Sequence, residues 1–473
     1  MQRKQFLKLA LLSNLSLLLK SNKIFAFNVP EHTEPLTNDN VTYYKKGDAE
    51  YETLRQGFNK RINKSPLVIA LCKNTEGVSE AILYAKQNNL PVAIKSGGHC
   101  MEGFSCNNGG MVINLSLLNK VEWIDKETIN VGPACTLSNL YDNILPKGRI
   151  LPGGSCASVG IGGLTLGGGY GILARKYGLA CDSLLEVTMV DGNGQIINSN
   201  NDKELLWACK GGGNGNFGVI TSLKFKTYKA PETLQSYRFK THQINTAKAK
   251  SILQKWFEIT QNLPTDCFSA FVLNEDNVYI LLTNTGKHTA ELQKTIDTLS
   301  SISAKTTQTK PRPIALALKA FYGLKGPVYF KNASAGLYKN FGDIENYIDK
   351  VIDKVTEVSS GMIYQVNTLG GNIVNAEAEA AAAFPHRSCI YFSELQTYWD
   401  NEKQGPPIIK KFEAVQDIFN SNGIHTQYRN YPDINFKNWN TQYYGSNYKR
   451  LQQVKNKYDP HNLIRHEQSV QNG

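Results

Sequence analysis

The 473-residue chain contains no His-Glu-x-x-His and no paired Cys-x-x-Cys, so nothing in it supports a zinc site. It contains no Gly-x-x-x-x-Gly-Lys-[Ser/Thr], which argues against a P-loop nucleotide hydrolase. Internal repeats are absent, and low complexity is limited to the short run Ala380–Ala383. Cysteine is scarce: nine residues are too few for a disulfide scaffold, and an odd number leaves one without a partner. The apolar run Leu9–Leu19 is too short and too interrupted for a membrane span. Charged residues make up 19% and hydrophobic residues 41%, which excludes disorder throughout.

The first 26 residues lack acids altogether. They carry Arg3, Lys4, Lys8, Lys20 and Lys23 ahead of and around the apolar run, with Ala26 as a small residue for cleavage. This pattern resembles a secretory signal, so residues 1–26 are expected to direct export to the periplasm or the extracellular space. Arg3-Lys4-Gln5-Phe6-Leu7 also resembles a twin-arginine signal with its second Arg replaced by Lys, which leaves the export route open. Setting the segment aside reduces the net charge from +12 to +7. The remaining charge is spread out, with no basic stripe and no interleaved stacking aromatics. A nucleic-acid partner is therefore not expected, nor is membrane insertion after signal removal.

Glycine is what the chain has in one place. Between Gly97 and Gly218 lie 24 of its 39 glycines and six of its nine cysteines. Around them, from Pro66 to Tyr228, short strands alternate with short helices. Pro91–Lys95, Met111–Leu115, Ile129–Gly132, Leu184–Val190 and Gly218–Tyr228 read as strands, and Lys203–Cys209 as a helix. Asp191-Gly-Asn-Gly194 is a hairpin-turn signal. After Pro231 the character changes. Ala247–Leu263 and Ile344–Ser359 have helical periodicity, Phe268–Asn284 reads as a hairpin, and Cys389–Leu395 as a strand. This is a second, α+β unit. The tail from Gln427 is dense in Tyr, Asn and Trp.

Three glycine clusters invite a flat ligand. In Lys95-Ser-Gly-Gly-His99, Gly97 and Gly98 allow backbone N–H groups to converge on an anion. The run Pro152-Gly-Gly-Ser-Cys156 to Gly171 holds Val159, Ile161, Leu164 and Leu166 among its glycines, unlike a polar flexible linker. Gly211-Gly-Gly-Asn-Gly-Asn-Phe-Gly218 feeds a strand. Gly169–Ala174 fits a loose dinucleotide fingerprint but follows a glycine coil, not a strand.

Together with Tyr428-Arg-Asn-Tyr-Pro-Asp433 and Tyr443-Tyr-Gly-Ser-Asn447-Tyr448, these motifs resemble the berberine-bridge-enzyme-like FAD-linked oxidases of the vanillyl-alcohol-oxidase group. The resemblance spans about Pro66–Tyr228 and Phe384–Ser469. It implies an α+β architecture: a two-part PCMH-type FAD-binding domain (27–230 and the C-terminal segment 426–473) with an inserted α+β substrate domain, 231–425, built on an antiparallel sheet. It also implies an FAD tethered twice, through His99 and Cys156. Imidazole and thiolate are nucleophiles suited to electron-poor flavin positions. Ser96, Gly97 and Gly98 would hold pyrophosphate; Gly162, Gly163, Tyr170 and Gly171 would line the cofactor. Val219 and Ile220 would face the adenine–ribose end, and Asn447 and Tyr448 would close over the flavin. Lys95 stands where the family usually has Arg, leaving a phosphate or support contact in doubt. Val159 occupies a position linked to oxygen access, and Val there fits an oxidase. Removing Cys156 from the count leaves eight cysteines, of which Cys100 and Cys106 are near enough in sequence to pair.

Oxidising an alcohol requires a base for the hydroxyl proton. Phe392, Glu394 and Gln396 share one strand face by period two, so Glu394 or Gln396 can face the substrate. The resemblance also implicates the Tyr-x-Asn-Tyr motif, with Tyr428 favoured and Tyr431 as the alternative. The expected activity is oxidation of a sugar hemiacetal or other alcohol, with hydride passing to flavin N5 and O2 yielding hydrogen peroxide. The alternatives are oxidation or dehydrogenation of a secondary metabolite, such as an aromatic amine or polyketide alcohol, and a flavin-free binding protein on the same scaffold.

Overall fold

A computed structural model describes residues 35–324, 326–357 and 361–473. The expected signal segment lies outside them. Among the described residues no helix is long and apolar enough to cross a membrane, and no His, Cys, Asp and Glu cluster could hold a metal.

The first sheet has the strand order 36–37, 41–44, 68–72, 111–114, 92–95. Strands Val68–Cys72 and Val92–Lys95 both pair parallel to Met111–Asn114, which accounts for the crossover helix Thr75–Gln87 between them. That helix starts where the Asn74 side chain accepts from Gly77 N, and it buries Val78, Ala81, Ile82 and Ala85. A second, antiparallel sheet runs 196–198, 184–191, 218–226, 128–131, 121–123. The Asp191–Gly194 turn closes its first hairpin, as its sequence requires.

The large sheet is antiparallel throughout, in the order 305–308, 233–241, 277–284, 267–274, 362–368, 391–399, 329–338. Helices Thr246–Thr260, Ala290–Ser301, Ile348–Thr356 and Gly405–Ser421 cover one face. Their apolar stripes meet Ala333, Tyr364, Val366, Tyr391 and Leu395 in a single core. The two-residue period then dictates the other face. Asn332, Ser334, Gln365, Asn367, Phe392, Glu394 and Gln396 must point away from the helices, toward the glycine-rich part of the chain.

The tail connects the two parts. Residues 426–431 run along the edge strand Tyr329–Tyr338, with Leu337 N donating to Thr426 O and Ser334 N to Tyr431 O. The tail then turns through Tyr428–Asp433 without forming a ladder. Beyond it, Val92 N donates to Leu463 O and Arg465 N to Val92 O, joining the tail to the open edge of the first sheet. All nine cysteines are unbonded. The anticipated Cys100–Cys106 pair is absent: Cys100 Sγ accepts from Phe104 N, and the Cys106 thiol faces Lys64 O.

Candidate active site and cofactor cavity

A cavity lies where the glycine clusters, the second sheet and the tail meet. Ser96, Gly97, Gly98 and His99 line one side, Val159, Gly160, Gly162 and Gly163 the next, and Ile220 the strand side. Arg429, Asn430, Tyr431 and His466 close it from the tail. The glycines are required by close approach. A Cβ on Gly97 would lie 2.4 Å from Gly160 N, and one on Gly162 would lie 2.8 Å from Pro133. At Gly163 a Cβ would meet only Ser96 Oγ, at 3.9 Å, so backbone there faces open space.

His99 Nε2 lies 3.0 Å from Ser158 Oγ, and its ring stacks on Phe58 at 4.1 Å. Burial lowers its pKa to about 4, which keeps the imidazole neutral and nucleophilic. Cys156 Sγ lies 3.8 Å from the same Ser158 oxygen, outside the cavity lining.

Several expected cofactor residues face elsewhere. Lys95 Nζ donates to Leu54 O and Gln56 O beneath the Gly97-Gly98 turn, so it is a support and not a phosphate ligand. Val219 is packed in the core of the first sheet, and its neighbours Gly218 and Ile220 reach the cavity. Gly171 lies against Gly153, where a Cβ would be 2.1 Å from the carbonyl oxygen. Tyr170 is removed from the cavity wall and packs against Phe392 and Phe268. Asn447 and Tyr448 do not cover the cavity: Asn447 Nδ2 donates to Ala383 O, and Tyr448 Oη accepts from Gln471 N on the helical outer layer.

Glu394 is the singular group on the polar face of the large sheet. It is 5% exposed, and it accepts from Asn332 Nδ2 at 3.0 Å and from Asn367 Nδ2 at 3.4 Å. Burial pushes its carboxyl up to about 7, with the two amides only partly offsetting this. Tyr431 lies at the cavity and its phenol is held well above the usual range, by burial first and then by Glu394. Gln396 is occupied by Tyr398, whose hydroxyl donates to its Oε1 at 2.9 Å. Tyr428, the base that the resemblance favours, stands behind the cavity lining. Its oxygen accepts from Gly169 N, Tyr170 N and Asn430 Nδ2 at 3.0, 3.0 and 3.1 Å, and burial pushes the phenol up to about 12. It is a fixed anchor for the glycine loop. At neutral pH a group near 7 is the better proton acceptor.

Sequence reasoning passed over five residues here. Arg429, His466 and Asn214 line the cavity, and Asn332 and Asn367 hold Glu394. The asparagines on the sheet were legible only once pairing was known, since Asn367 comes from a neighbouring strand.

The cavity fits FAD on its own terms. Bare backbone lies along its length, Asn214 Oδ1 is buried with no partner, and Arg429 brings a cation to its wall. Comparison with known proteins agrees. Residues 66–200 match a family described as an FAD binding domain, and residues 427–471 one described as berberine and berberine like. An uncharacterized FAD-linked oxidoreductase of Bacillus subtilis (strain 168) is 29% identical over 440 residues, covering 90% of this chain and 95% of its own. Berberine bridge enzyme-like 24 of Arabidopsis thaliana is 29% identical over 448 residues, with 83% and 81% covered. The solved carbohydrate oxidase from Microdochium nivale, in complex with a substrate analogue, shares the fold: TM-score 0.83 at 24% identity, over 91% of this chain and 97% of that one. With both motif regions matched and a cavity of the right chemistry between them, the chain is an FAD-linked oxidoreductase, similar over most of its length to the berberine-bridge-enzyme-like proteins.

Proposed function

We propose that the protein is an exported oxidase that converts a sugar hemiacetal or another alcohol to the lactone or carbonyl, with O2 as final acceptor and hydrogen peroxide as product. The observation that carries this reading is Glu394: a buried carboxyl near neutrality on a sheet face rich in amides. Bound FAD would supply the hydride acceptor and the route of electrons to oxygen. Ser96, Gly97, Gly98, Gly162 and Gly163 would lie along it, and His99 and Cys156 would tether it.

Glu394 takes the substrate hydroxyl proton as its C–H bond gives up hydride. Asn332 and Asn367 hold the carboxylate for that transfer, and the pKa near 7 suits it to accept and return a proton at physiological pH. Gln365 and Gln396 lie on the same face, and beyond their contacts with Asn367 and Tyr398 the Gln365 oxygen and the Gln396 amide suit a substrate with several hydroxyls. The carbohydrate oxidase of the same fold supports the sugar class. Val159 at the cavity supports oxygen as acceptor. The test is a panel of mono- and oligosaccharides, alcohols and amines, assayed together for peroxide release and flavin bleaching. Peroxide with a sugar supports the proposal. Bleaching without peroxide makes the protein a dehydrogenase, and bleaching by amines alone overturns the substrate class.

A further inference from the structure

Arg429 is a buried cation without an anion. It is 4% exposed and lines the cavity. Its Nε donates to Tyr444 Oη at 3.1 Å, and the Phe104 and Tyr443 rings lie 5.6 and 5.5 Å from the guanidinium carbon. One terminal nitrogen is 3.2 Å from His466 Nε2. That contact does not satisfy it. His466 Nδ1 accepts from Gln468 N at 3.1 Å, so the single proton of the neutral ring sits on Nε2, facing Arg429. Burial and the Arg429 charge together hold His466 neutral. Among the described residues no carboxylate forms an ion pair with Arg429, and a buried charge in this position calls for a counter-charge.

The neighbouring asparagines identify the kind of partner. Asn430 Nδ2 donates to Leu164 O at 2.8 Å and to Tyr428 Oη, which fixes its other atom as the acceptor. Asn214 Nδ2 fills that acceptor at 3.0 Å. Asn214 Oδ1 is therefore an acceptor, buried, unpartnered and at the cavity. One wall thus offers both a cation and a lone acceptor. Pyrophosphate carries only acceptors at neutral pH and would leave Asn214 unsatisfied. The pyrimidine edge of a flavin carries acceptors at N1 and the C2 carbonyl, and a donor at N3.

We propose that Arg429 and Asn214 are the recognition edge for the pyrimidine ring of FAD, with Arg429 as the electrostatic partner of N1 and the C2 carbonyl and Asn214 Oδ1 as the acceptor for N3–H. The proposal rests on FAD being the occupant. Hydride transfer delivers two electrons and one proton to the ring while the substrate's hydroxyl proton goes to Glu394, so the ring gains one net negative charge. Arg429 then favours the reduced form and makes the cofactor a stronger oxidant.

The experiment uses purified holoenzyme and its Arg429→Gln and Arg429→Lys variants. Three quantities are measured: the flavin spectrum, the two-electron midpoint potential against a reference dye, and the dissociation constant of the sulfite adduct. Arg429→Gln is expected to shift the reduction equilibrium at least tenfold toward oxidised flavin, about 30 mV for a two-electron couple. Sulfite binding is expected to weaken at least tenfold. Arg429→Lys, which keeps the charge, is expected to recover most of both. An Arg429→Gln enzyme with unchanged potential and sulfite affinity overturns the proposal, including when it binds FAD more weakly, which would place Arg429 at the pyrophosphate. Should Arg429→Gln not fold, Asn214→Asp sets a carboxylate beside the intact Arg429. It must lower the potential, and an unchanged value overturns the proposal equally. Colourless wild-type protein would instead sink the FAD reading itself.

Discussion

Ser158 Oγ stands 3.0 Å from His99 Nε2 and 3.8 Å from Cys156 Sγ, so one hydroxyl spans the two nucleophiles of the glycine-rich region. If both residues tether the flavin, removing either leaves the other. His99→Ala and Cys156→Ala are each expected to keep flavin bound to the denatured protein through one bond, and the double variant is expected to release it in acid. Mass spectrometry of flavin peptides reads the outcome directly. A single variant that retains both linkages removes that residue from the assignment.

The Glu394 carboxyl, raised to about 7, makes turnover depend on pH with a definite sign. The ionised form is the base, so kcat is expected to rise with pH and level off above about 7. Glu394→Gln keeps the size and one acceptor for the two asparagine amides but cannot accept the proton. It is expected to lower kcat by about 10²–10⁴-fold and abolish that rise. The same shift acts on stability. Between the ordinary carboxylate range and about 7 the folded state holds a proton that the unfolded state has lost. Stability should therefore fall as pH rises through that window, and Glu394→Gln should flatten the slope in urea titrations.

Much of this was legible in the sequence because local rules decided it. The Gly97–Gly98 turn, the hairpin at Asp191–Gly194 and the helix Lys203–Cys209 follow from residues a few positions apart. Glu394 was legible as a face, by alternation with Phe392 and Gln396. What alternation could not supply was rank. Burial of Glu394 depends on Asn332 and Asn367, which arrive from the flanking strands in a register that only the folded sheet defines. The surroundings of Tyr428 were hidden for the same reason: its oxygen accepts from backbone N–H groups of Gly169 and Tyr170, more than 250 positions away. Asn447 and Tyr448 sit on a helical surface whose inward side belongs to Leu451 and Val454.

Lys331 is enclosed between Glu102 and Asp433, at 2.5 and 2.8 Å, with all three side chains 3% exposed or less. Arg61 completes the group on Glu102 at 2.9 Å. The cluster pins the loop after His99, the edge strand of the large sheet and the tail beyond Tyr431. Lys331→Met strands the Asp433 carboxylate in the interior and leaves Glu102 to Arg61 alone, and it is expected to cost about 3–5 kcal/mol. Chemical denaturation measures it. A loss below about 1 kcal/mol would mean the carboxylates escape to solvent and the three segments are held by other contacts.

Tyr428→Phe separates the anchor role from the base role. The substitution keeps the ring against Phe392 and Phe384 but removes the acceptor for two buried backbone N–H groups, at Gly169 and Tyr170. Each stranded donor costs about 1–3 kcal/mol, so a measurable drop in denaturation midpoint is expected. The rise of kcat with pH toward about 7 should survive, because Glu394 is untouched. If Tyr428→Phe instead erased that pH dependence at unchanged stability, the proton would be going to the phenol. Glu394 would then be a neutral acid holding the substrate through its own hydroxyl, and Glu394→Gln would cost far less than the 10²-fold expected of a lost base.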